Sequence, residues 1–115
     1  MQTWGGYLCG DAHTIVAVNV TPRAMWSLTD LVRERSKLLQ KTVSPRSAVA
    51  VPGSPRAERL DGLTHGESPA ESQTLVMIFA TARDQVATLS VRSWPRHDLA
   101  REVERIVGSF EIIEP

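Results

Sequence analysis

The chain has 115 residues, 42% of them hydrophobic and 23% charged, with 13 basic against 13 acidic side chains. That length and balance suit a single α+β-sized domain over residues 1–115 that buries a core without a metal or disulfide staple, and they exclude a disordered chain. A formal charge of zero, with Glu34, Glu58, Glu102 and Glu104 set among the arginines, points away from nucleic acid, which selects a one-sided basic patch, and from a polybasic membrane anchor.

No apolar run approaches the roughly 20 residues of a membrane helix, so no membrane span is expected. Met1 to Gly10 lacks the positive start and apolar core of a signal peptide. A single cysteine forms no internal disulfide, and a cytoplasmic location is the expectation. Arginine outnumbers lysine eleven to two, the mark of a GC-rich bacterial genome.

In chain order, Gly5 to Cys9 and the β-branched run Thr14 to Val20 are expected to pair as a hairpin turning at Gly10-Asp11. Thr21-Pro22 then has the chemistry of a helix start, and Leu28, Leu31, Val32, Leu38 and Leu39 recur at helical spacing. The spacing predicts a helix over 23–42 that ends before Pro45. Ser47 to Val51 reads as a short strand stopped by Pro52-Gly53. Arg56 to Leu63 is a weaker strand signal, followed by a polar loop from His65 to Ser72.

Gln73 to Ala82 carries the strongest strand pattern, with Leu75, Met77 and Phe79 on one face and Val76, Ile78 and Ala80 on the other. It is expected in the middle of the sheet. Arg83-Asp84 turns the chain into a partner strand, Gln85 to Trp94, that places Ala87, Leu89 and Val91 on its buried face and Thr88, Ser90 and Arg92 opposite. Asp98 is placed to cap a second helix whose Leu99, Val103, Ile106, Val107 and Phe110 form one apolar stripe, leaving Arg101, Glu102, Glu104 and Arg105 as a solvated face. The fold class is therefore α+β: an antiparallel or mixed sheet of five to six strands with two packed helices.

The segments "AVAVPGSPRAERLDGL", "SQTLVMIFATARDQVATLSVRSWP" and "EVERIVGSFEI", in this order, resemble the PsbP-like superfamily. The closing helix ends in a Ser-Phe pair, Ser109-Phe110, and Pro52-Gly53 with Pro55-Arg56-Ala57 matches the small-residue patch before the long hairpin. The resemblance spans residues 14 to 112 as an order of elements. It implies a PsbP-like sandwich of the bacterial lipoprotein or secretion-adaptor type, in a group that mostly binds or scaffolds other proteins.

Three sets of residues invite a chemical reading. Cys9, Asp11 and His13 alternate as a thiol, an orienting carboxylate and a base would. Gly10-Asp11 is also turn chemistry, which separates Cys9 from His13 onto opposed strands, and the turn is the reading adopted. Structural zinc needs four ligands, while His65 and His97 sit in unrelated segments, so no metal site is assigned. His97-Asp98 is explained by helix capping. Trp4, Trp26 and Trp94 lie at element ends, where large aromatics close a core but also make interface anchors. They are the candidate ligand or partner contacts.

No catalytic set and no cofactor motif is found. The expected function is that of a non-enzymatic, homodimeric adaptor or chaperone-like protein that binds another protein through sheet surface and aromatics. Two alternatives stay open. One is a small-molecule-binding domain or enzyme with a pocket between the sheet and helix 23–42; the other is a secretion-system-associated adaptor.

Overall fold

A strand that is apolar on both faces, as Ser72–Ala82 is, needs cover on two sides. The computed structural model describes residues 2–9, 14–65, 72–94 and 97–113, of which 2–9, 65, 72 and 97–99 as backbone only, and it supplies that cover with a helix on each side of one sheet. In chain order the elements are β1 (Gln2–Cys9), β2 (Thr14–Pro22), α1 (Leu28–Ser36), β3 (Lys41–Val49), β4 (Ala57–His65), β5 (Ser72–Ala82), β6 (Gln85–Ser93) and α2 (His97–Gly108). The sheet runs β1-β2-β6-β5-β4-β3, each strand antiparallel to its neighbours. The class is α+β, as the sequence predicts.

Leu75, Met77 and Phe79 of β5 pack with Leu60 and Val86 against Leu28, Leu31 and Val32 of α1. Their alternates Val76, Ile78 and Ala80 join Val16, Leu89 and Val91 beneath Val103 of α2, with Ile106, Val107 and Phe110 at the margin. The two faces of β5 are thus those its alternation predicts. On β6, Ala87, Leu89 and Val91 are buried as expected, but Thr88 on the opposite face is buried too, because α1 and its cluster cover that side.

The first helix differs from its expectation. Thr21 and Pro22 continue β2, pairing with Val86 and Gln85, and the Arg23 amide donates to the Asp84 carbonyl at 2.7 Å. Strand pairing overrides the local start signal. The cap is Ser27, whose hydroxyl accepts the Asp30 amide at 3.1 Å, and the helix stops at Ser36 rather than running to 42. From β2 the chain must reach the far edge of the sheet, four strand spacings or about 19 Å away. A nine-residue helix laid across the face covers about 13 Å of that path.

Lys41–Val49 is consequently an edge strand, where helix and loop were expected before Ser47. Residues 41–48 are all exposed, and the pairing with β4 slips between Thr42 and Ser44 and between Ser44 and Ser47. Pro45 falls in this irregular stretch, where a missing amide costs little. Arg46 ties the edge down, its Nε and Nη2 lying 3.1 and 3.0 Å from Glu58 Oε1.

The chain after α2 is strapped to the turn between β3 and β4: the Ile112 amide donates to the Pro52 carbonyl at 2.8 Å. Gly53 has φ +85°, and a Cβ there would stand 2.0 Å from the Ile112 carbonyl oxygen, so both backbone and packing demand glycine. Helix α2 begins at His97, which puts Asp98 in its first turn rather than at the expected cap. The strand expected over Arg56 to Leu63 is β4, extended to His65; the rest of the expected loop, residues 66–71, lies outside the described residues, as do 10–13. Among the described residues no helix is long and apolar enough to cross a membrane.

Candidate functional site

Side chains two apart on a strand share a face, and those at i, i+3 and i+4 on a helix share another. Arg59 and Asp61 of β4 and Thr74 and Val76 of β5 therefore face the same side of the sheet as Val103, and Ala100, Val103 and Glu104 of α2 descend toward them. Between these elements lies a cavity of about 360 Å³, flanked by Val43 of β3 and by Trp94, one residue past the end of β6. Its floor is apolar and its rim is charged.

The rim is an ion triplet centred on Arg59. The guanidinium takes Asp61 in a fork, Nε to Oδ1 at 2.7 Å and Nη2 to Oδ2 at 2.9 Å, and takes Glu104 through Nη1 to Oε2 at 3.0 Å and through Nη2 to Oε1. Hydrogen bonds to Glu104 and then to Asp61 raise the Arg59 pKa above its ordinary value. The same bond from Arg59 holds the Glu104 carboxyl below its ordinary value. Side-chain exposure divides the triplet: Arg59 at 22% and Asp61 at 24% are sheltered, while Glu104 at 59% faces solvent.

At the inner end, Thr74 Oγ1 donates to the Ser93 carbonyl at 3.1 Å and lies 2.8 Å from Ser93 Oγ. Thr14, opposite Ser93 in the β2–β6 register, is buried with a hydroxyl that has no hydrogen-bond partner among the described residues. Both carboxylates of the cavity are engaged by Arg59, so neither stands as a base beside a hydroxyl.

Of the residues singled out from sequence, Trp94 lines this cavity. Trp26, expected on the first turn of a helix, precedes the Ser27 cap and packs against the apolar cluster under α1, on the other face of the sheet. Trp4 lies in β1 with its backbone opposite Val18; its side chain is outside the described residues, as are those of Cys9, His97 and Asp98 and the whole of Asp11 and His13. The sequence reading missed Arg59 and Asp61, although an Arg-x-Asp spacing on a strand is a legible same-face pair. Glu104 was assigned to a solvated helix face, which is half right: it borders solvent and also reaches Arg59.

A second cavity, of about 520 Å³, lies between the β5–β6 turn and the chain after α2, with Val18, Val20, Ala87, Phe110 and Ile112 in its wall. Neither Trp26 nor Trp94 lines it. Among the described residues no group of three or more His, Cys, Asp or Glu side chains is placed to hold a metal ion. No protein-family model matches the chain, and no curated protein matches it at a significant level.

Proposed function

We propose that the chain is a non-enzymatic adaptor that seats a segment of another protein in the cleft between α2 and the ends of β4, β5 and β6. The observation that carries this reading is the position of Trp94 beside an apolar floor with a charged rim. Tryptophan supplies large contact area at low entropic cost and is enriched among residues that dominate binding. The commitment of both carboxylates to Arg59 supports binding over catalysis. The PsbP-like resemblance of the sequence segments points the same way, to a group that mostly binds or scaffolds proteins. A volume of about 360 Å³ also suits a small molecule, which makes a free ligand the second reading.

A random-peptide display selection on the immobilised chain tests the proposal. Selected peptides are expected to lose at least about tenfold in affinity on Trp94→Ala, as a hot-spot aromatic does. They should lose nothing on Met25→Ala, since Met25 is 71% exposed and away from the cleft. Trp94→Phe, checked by its melting temperature, separates lost contact from lost fold. Peptides that ignore both Trp94 variants would sink the reading.

A further inference from the structure

The guest can be specified further, on the assumption that the cleft is the binding surface. Arg59 offers five N–H donors, and four of its donor contacts are already made to Asp61 and Glu104. Each carboxylate has about four acceptor positions, so roughly half of those on Asp61 and Glu104 remain for a guest. The hydroxyls of Thr74 and Ser93 are bonded to each other. Among the described side chains of the cavity, spare acceptors thus outnumber spare donors, which are one Arg59 N–H and the Trp94 indole N–H.

Charge points the same way. Among the described residues, one positive and two negative side chains line the space. The more exposed carboxylate, Glu104, stands at the solvent side, where an incoming cation meets it first. An anion would have to prise Glu104 from a two-point contact with Arg59 before it found more than one guanidinium N–H.

From the donor deficit, the net negative rim and the apolar floor together, we infer that the cleft takes a guanidinium or ammonium group carried on an apolar stem. In a protein partner this is an arginine or lysine side chain. Its head donates N–H hydrogen bonds to the free lone pairs of Glu104 and Asp61, and its methylenes lie on Val76 and Val103. Trp94 offers a ring face to the cation.

Isotope-labelled chain titrated with n-butylguanidinium, 1-pentanol and pentanoate at one ionic strength tests this, with the Trp94 indole resonance as readout. Butylguanidinium is expected to bind at least about fivefold more tightly than either of the others, a modest margin for a charge-assisted contact at a partly exposed site. Glu104→Gln should bring that preference close to parity. Pentanoate binding as tightly as the cation, or a preference untouched by Glu104→Gln, would overturn the inference. Equal binding of pentanol and cation at Trp94 would leave the cleft as a recognition site and remove its charge selectivity. No probe shifting Trp94 would count against both the inference and the reading beneath it.

Discussion

Arg59 holds two carboxylates that would otherwise repel each other across the cleft, and the balance depends on their ionisation. Because the folded-state pKa of Glu104 lies below its ordinary value of 4.5, its contribution to stability is complete above that value and is lost as pH falls through the lower folded one. Urea unfolding of the chain and of Glu104→Gln should therefore differ at neutral pH, with the native chain more stable, and converge in acid. The gap should also shrink in high salt, since Glu104 is largely solvent-exposed. A gap that persists at pH 2 would place the effect in packing rather than charge. This residue-scale chemistry was only partly legible in the sequence. Trp94 stood out by type, the Arg59–Asp61 pair was missed although its Arg-x-Asp spacing carries a same-face signal, and Glu104 meets Arg59 across 45 positions, beyond the reach of any local period.

Elements were legible where side-chain alternation and burial agreed. The β5–β6 hairpin carries two apolar faces and an Arg83-Asp84 turn, so its register follows from its own pattern. The α1 region did not, because Thr21-Pro22 is a good helix start in isolation and Leu38 and Leu39 extend the apolar spacing past the real end. What decides there is the neighbour: β6 pairs with β2 through Pro22, and the helix can begin only after the chain leaves the sheet. The cap then falls to Ser27. Replacing Ser27 with Ala leaves the Asp30 amide without its acceptor and should cost about 1 kcal/mol by urea unfolding, with helicity falling in parallel. An unchanged midpoint would mean that water or another group caps α1 as well as the serine does. Edge strand β3 was legible from Ser47 on and illegible before it for a different reason: Pro45 argues against a strand, yet an irregular outer strand tolerates it.

At the scale of the molecule, the sheet separates two apolar clusters among the described residues, one under α1 and one under α2. Substitutions on opposite faces should then act independently, whereas those within one cluster share a cavity and should couple. Leu31→Ala, beneath α1, is expected to cost about 2–4 kcal/mol and Val103→Ala, beneath α2, about 1–3 kcal/mol, from the burial of each. Combined, they should sum to within about 0.5 kcal/mol, while Leu31→Ala with Met77→Ala, both under α1, should depart from additivity by more than that. Non-additivity across the sheet would show that the strands transmit repacking from one face to the other. The same separation bears on function: the cleft lies wholly on the α2 side, so Leu31→Ala should lower stability and leave butylguanidinium affinity at Trp94 unchanged, and Val103→Ala, which lines the cleft, should alter both.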